Sequence, residues 1–230
     1  MPWLVLLFGL MIVPLGVTTI LFIVIQPVVL GTWSTLALVG GAAVLLQIPY
    51  SLDELLATLQ FLHRRHQAGQ PWLRVLLRGD TDAMPAGAAQ PAALVDEFEQ
   101  SPRLILRSMV VGGVSLPWNL ALAAAIGVLL LFTRVTLGGH LGEDGNLANA
   151  HHIIGSLVLT VVGVAAAEVA RPVRVLNALL GVALLLTPFW FVADNTATAV
   201  SVALGLALVG LSVRRGPIRQ QYGPWNRRLA

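Results

Sequence analysis

The chain contains no cysteine and no lysine among its 230 residues. Without a thiol there is no disulfide framework and no thiolate. Thiol–disulfide exchange is therefore excluded as an intrinsic activity, because the attacking group and the electron carrier are both sulfur. The redox state of the compartment cannot be read from cysteine usage either. Charge is almost as scarce: 11% of residues are charged and 57% are hydrophobic. That balance excludes an ordinary soluble domain and gives an integral membrane protein. All fourteen basic residues are arginine. The pI near 10.5 does not mark a nucleic-acid binder, because the arginines are dispersed over loops and tail instead of forming one basic face. Absent too are a phosphate-binding loop, a dinucleotide fingerprint and a metalloprotease helix.

Long apolar runs are what the sequence has in quantity. Six stretches, at 3–28, 33–50, 108–136, 151–170, 174–193 and 196–213, are long enough or nearly so to cross a hydrocarbon layer of about 30 Å at about 1.5 Å per residue. The first lacks a basic n-region and exceeds a signal-peptide core, so it is read as a retained span. Pro14 and Pro27 are kinks of the kind membrane helices tolerate. Arg64, Arg65, Arg74, Arg78, Arg103 and Arg107 fall between spans two and three, Arg171 and Arg174 between four and five, and Arg214, Arg215, Arg219, Arg227 and Arg228 in the tail. The positive-inside rule makes all of these cytoplasmic, together with both termini. The opposite loops, near 29–32, 137–150 and 194–195, have no arginine, with Arg134 just inside the end of span three. The expected fold class is all-α, with about six transmembrane helices.

The segment 51–107 carries its own signals. Ser51-Leu52-Asp53-Glu54 has the form of a capping box. Leu52, Leu55, Leu56, Leu59 and Leu62 recur after it at helical spacing, which predicts an amphipathic helix on the inner membrane face. Trp72, Arg74 and Arg78 suggest a second interfacial turn, so anionic lipid is expected at Arg64, Arg65, Arg74 and Arg78. Residues 79–91 read as a linker. The acidic run Asp96-Glu97-Phe98-Glu99 reads as a solvated face. Three units follow: a two-span hairpin over 1–50, the interfacial segment 51–107, and four spans with a basic tail over 108–230.

Several motifs carry a resemblance. Pro2-Trp3-Leu4-Val5-Leu6-Leu7-Phe8-Gly9, Pro14-Leu15-Gly16, Gln26-Pro27-Val28-Val29, Gly31-Thr32-Trp33 and Ile48-Pro49-Tyr50-Ser51-Leu52-Asp53-Glu54 make residues up to about 80 resemble the later part of bacterial vitamin K epoxide reductase family proteins. In that family the positions of Ser34 and Ala37 are the cysteines of a Cys-x-x-Cys pair that exchanges disulfides and reduces quinone. The resemblance therefore implies a degenerate redox motif at the outer end of span two. The family's bundle also has further spans and a second cysteine pair upstream of the stretch matched, so half of it is expected to be missing. From about residue 108, Ser115-Leu116-Pro117-Trp118-Asn119, Asn149-Ala150-His151-His152-Ile153-Ile154-Gly155, Glu168-Val169-Ala170-Arg171-Pro172-Val173-Arg174, Thr187-Pro188-Phe189-Trp190 and Gln221-Tyr222-Gly223-Pro224-Trp225-Asn226 resemble SPW-repeat membrane proteins. That resemblance implies paired helices without established chemistry.

Candidate site residues are few. Ser34 precedes a long apolar run and is read as a helix N-cap. Glu168, Arg171 and Arg174 cluster at one turn and are read as an ion pair anchoring a helical hairpin. His140, His151 and His152, beside Glu143 and Asp144, are the residues from which a metal site would have to be built. Adjacent histidines on a helix point in different directions, so no metal is expected. A weak repeat runs through the C-terminal half, with a polar start, a midway glycine and a Pro-aromatic pair, and Gly155, Gly163, Gly181, Gly205 and Gly210 are candidate close-packing positions. These readings predict a noncatalytic subunit or scaffold of a bacterial inner (plasma) membrane complex, with other membrane subunits as partners and no nucleic acid. The alternative is a quinone-binding accessory that relies on a partner for thiols or electrons.

Overall fold

The computed structural model describes residues 1–80, 112–138 and 145–218. The linker from 81, the acidic run 96–99, Arg103, Arg107, the start of span three, His140, Glu143, Asp144 and the tail from Arg219 lie outside the described residues. Helix α1 (Pro2–Ile25) opens on a proline, which needs no hydrogen-bond acceptor in a first turn. Pro27 then takes the backbone into a wider π-helical turn (Gln26–Leu30), and Gly31, at φ 65°, ends it in the left-handed region that favours glycine. Helix α2 (Thr35–Gln67) returns antiparallel to α1 and leads through Gly69 and Pro71 into the short α3 (Trp72–Arg78).

The C-terminal half contains α4 (Trp118–Leu131), a one-turn α5 (Thr133–Thr136), α6 (Asn146–Ala166), a 3-10 turn (Glu168–Val175), α7 (Leu176–Trp190) and α8 (Asn195–Val213). Asp194 caps α8, accepting from the Ala197 N–H at 2.8 Å. Among the described residues the fold is all-helical apart from one antiparallel bridge, Val114 to Ala167. Five helices, Pro2–Leu30, Thr35–Gln67, Asn146–Ala166, Glu168–Trp190 and Asn195–Val213, are long and apolar enough to cross a membrane. This is the architecture of a multi-pass helical membrane protein.

Two expectations change. Ser51 does not start a helix: α2 passes through it unbroken for 33 residues, about 50 Å at 1.5 Å per residue, with Pro49 inside. The leucines after Ser51 therefore do not begin a separate interfacial helix. Leu55 packs against Gly9 of α1, and Ser51 is buried. A proline removes only one backbone donor, and tight packing of α1 against α2 continues on both sides of Pro49. Span three also differs, since its helix begins only at Trp118, after Pro117, and breaks at Phe132. Its fourteen residues amount to about 21 Å.

Packing is organised by glycine. In the α4–α6 hairpin Gly127 and Gly155 face each other so closely that a Cβ on Gly155 would lie 2.7 Å from the Gly127 carbonyl oxygen. In the α7–α8 hairpin Gly181 and Gly205 do the same, each Cβ position lying 2.8 Å from the other's oxygen. The repeat read from the sequence is thus a repeat of packing, two hairpins each crossing at a glycine pair. Helix α6 is the hub: half of its most apolar window is buried, against 22% for α1 and α2. Leu120, Leu130, Val158, Val162, Leu184 and Leu208 form the core around it.

Candidate functional site

Two polar clusters lie at opposite ends of the bundle. At the α1–α2 turn, the Ser34 Oγ accepts from the Ala37 N–H at 3.4 Å and caps α2 as expected, while the Gln26 side-chain oxygen accepts from the Ser34 N–H at 3.0 Å. Ser34 and Ala37 thus belong to one cap: Ser34 supplies the oxygen and Ala37 the amide. Next to it Trp33 stacks on Phe132, with centroids 5.3 Å apart, and meets the His152 ring edge-on at 5.0 Å.

His152 is buried, and each of its ring nitrogens faces a backbone carbonyl: Nε2 lies 2.8 Å from the Ile23 oxygen and Nδ1 3.2 Å from that of Leu131. Both carbonyls sit at helix interruptions. Pro27 has no N–H to offer Ile23, and the Val135 N–H donates to Phe132 instead of Leu131. One side chain therefore serves exposed acceptors from two helices in different halves of the chain. An imidazole carrying one ring N–H donates to one of the two carbonyls at a time. His151 turns the other way, its Nε2 2.9 Å from the Ser201 hydroxyl of α8. The adjacent histidines diverge as expected, and no metal-binding group of three or more His, Asp or Glu occurs among the described residues. Arg134 donates to the Asn149 side-chain oxygen at 2.6 Å.

At the other end the Glu168–Arg171–Arg174 turn is locked to the entry of α4. Ser115 N–H donates to the Ala166 carbonyl (2.9 Å) and Glu168 N–H to that of Gly113 (2.8 Å). The Ser115 hydroxyl then donates to the Glu168 carboxylate at 2.6 Å and accepts from Arg171 Nη2 at 2.6 Å, so it bridges the acid and the base. Glu168 and Arg171 are at most 1% exposed. Arg174, also buried, donates to the Arg214 carbonyl from Nε (3.1 Å) and to that of Arg171 from Nη1 (3.2 Å). Asn119 donates to the Arg214 carbonyl at 2.8 Å, and the Arg214 guanidinium lies 5.1 Å over the Trp118 ring. Every polar side chain of Ser115-Leu116-Pro117-Trp118-Asn119 thus has a structural task. In the sequence Ser115 and Asn119 stand out only as parts of a motif, with no sign of their partners, which lie 53 to 95 residues away.

The arginines expected to meet lipid divide. Arg64, Arg74 and Arg78 are exposed, whereas Arg65 is partly buried and paired with Asp80, Nε to Oδ2 at 3.3 Å. No protein-family model, curated protein or solved structure matches this chain.

Neither cluster holds an activated nucleophile in an open cavity. The larger openings lie on helix faces. One groove between α1 and α2, of ≈ 600 Å³, has Leu4, Val5 and Phe8 on one wall and Gln47, Tyr50 and Glu54 on the other.

Proposed function

We propose that this chain is a noncatalytic membrane subunit or scaffold of a larger bacterial membrane complex, descended from a thiol–quinone oxidoreductase-like ancestor that lost its redox cysteines. The observation that carries this reading is the α1–α2 groove. Gln47 and Glu54, both exposed, stand at i and i+7 on one face of α2, in a hairpin whose most apolar windows are only 22% buried. Polar groups directed at hydrocarbon are costly, and membrane helices cover them with a neighbour that completes their hydrogen bonds. A partner helix seated in the groove meets that need. The capping role of Ser34 supports the loss of redox chemistry, since the position now serves helix geometry. The proposed topology has six crossings, the shorter α4 continuing through α5 as the sixth, in a bacterial inner membrane. Both termini and the arginine-rich end face the cytoplasm, with Arg64, Arg74 and Arg78 against anionic lipid. Purification of the full chain from native membranes in mild detergent is expected to yield a stoichiometric second subunit, lost on Gln47→Leu/Glu54→Leu substitution. A monomer with no co-purifying chain overturns the proposal.

The same groove favours one second reading, a quinone-binding accessory. Its apolar walls suit an isoprenoid tail, and the Gln47 amide is a donor suited to a quinone carbonyl. Extraction and chromatography of the purified chain against an empty-membrane control separates the two: quinone enrichment supports the accessory, its absence the scaffold.

A further inference from the structure

We infer that the furrow between α4 and α8 is a binding site for one anionic phospholipid, with an acyl chain along the furrow and the phosphate on Arg214 and Arg215. The furrow has a volume of ≈ 520 Å³. Leu122 and Ile126 form its α4 wall, and Ala207 and Gly210 its α8 wall. Small residues keep it open: a Cβ built on Gly210 meets nothing within 4 Å, unlike those at the crossing glycines. From Trp118 to Leu129 the furrow runs about 16 Å at 1.5 Å per residue, half the thickness of a hydrocarbon layer and so the depth of one leaflet.

The charge at its mouth selects the headgroup. Among the described residues Arg214 is the only charged one lining the furrow, and its guanidinium covers the Trp118 ring, a pairing that sits well at headgroup depth. Its backbone is fixed from behind. Two buried side chains, Arg174 and Asn119, both donate to the Arg214 carbonyl. The guanidinium is thereby held at the furrow's rim without using its own donors in that clamp. Exposed Arg215 follows, and its charge acts on Arg174, so three arginines lie together at this end. A neutral headgroup leaves that cluster uncompensated, whereas a phosphodiester lacking a compensating amine neutralises part of it and accepts guanidinium donors in a fork.

The test uses the full-length chain in nanodiscs of equal phosphatidylglycerol and phosphatidylcholine, released into native mass spectrometry. One tightly held phosphatidylglycerol is expected. R214Q is expected to reduce its occupancy about fivefold, the factor for one arginine near a membrane surface. G210L, which keeps every charge and grows into open space, is expected to reduce it at least as much. Excess inorganic phosphate is expected not to displace the lipid, because the acyl chain contributes to binding; displacement means a bare phosphate site and overturns the proposal. Equal retention of both lipids, or undiminished phosphatidylglycerol on G210L, also overturns it. Circular dichroism checks that R214Q is folded, and G210L decides the matter if it is not.

Discussion

His152 shows how one side chain can organise a membrane fold. Two carbonyls are released where two helices break, and hydrocarbon offers them no water, so each must find a donor inside the protein. His152 lies within hydrogen-bond reach of both, while Trp33, itself stacked on Phe132, covers the ring edge-on. His152→Ala is therefore expected to destabilise the protein by about 1–3 kcal/mol, the cost of leaving unsatisfied the buried carbonyl it donates to. His151→Ala is expected to cost about 1 kcal/mol, since Ser201 still donates to the Ala197 carbonyl. Equilibrium unfolding in mixed detergent measures both, and equal losses would remove the special role of His152. Ser34, next to Trp33, does something simpler. Its identity as a cap was legible in the sequence because capping is local, a hydroxyl three residues ahead of the amide it serves. The double contact of His152 was not legible, because its acceptors are 21 and 129 residues distant.

At the level of elements, the glycines separate into those that set a helix crossing and those that do not. Gly205 is in the first group, and a methyl there would collide with the Gly181 backbone. Gly205→Ala is expected to push α7 and α8 apart and cost about 1–3 kcal/mol. Gly210→Ala faces open space and is expected to leave stability unchanged or raise it by up to about 1 kcal/mol through better helix propensity. Thermal unfolding in detergent distinguishes the pair. The sequence named both glycines without ranking them, since helical spacing shows a shared face but not which neighbour arrives on it. The same limit explains α2. Ser51-Leu52-Asp53-Glu54 satisfies the local pattern of a helix start, yet Leu55 against Gly9 makes continuation of the packed hairpin the better solution. Packing with α1 outweighs a cap of about 1 kcal/mol.

Across the molecule, the halves meet through α6, which packs on α1 and α2 on one side and on α4 and α7 on the others. The His152 contacts join the halves at one end, while Ser115, Glu168 and Arg171 join α4 to the α6–α7 turn at the other. Arg171→Ala is expected to destabilise the whole bundle by about 3–5 kcal/mol, because Glu168 is left as a buried charge without its bridged partner. The double change Arg171→Met/Glu168→Gln, which removes both charges, is expected to recover most of that loss. Limited proteolysis and detergent unfolding report the difference. A double variant no better than Arg171→Ala alone would mean that the arginine's hydrogen bonds to Ser115, not charge balance, hold the turn.

The sequence by itself determined the class of this protein, its helical composition and the place of nearly every apolar run, because hydrophobicity, arginine distribution and caps are properties of neighbouring residues. It also excluded thiol chemistry outright, since chemistry that needs a thiolate cannot arise where there is no cysteine. Only the tertiary structure decided which polar groups face each other: that His152 and His151 part company, that Ser115 stands between Glu168 and Arg171, and that Arg214 is held over a furrow. Those pairings join residues tens of positions apart. They exist because a low-dielectric interior forces each buried donor and acceptor to find a partner wherever packing brings one.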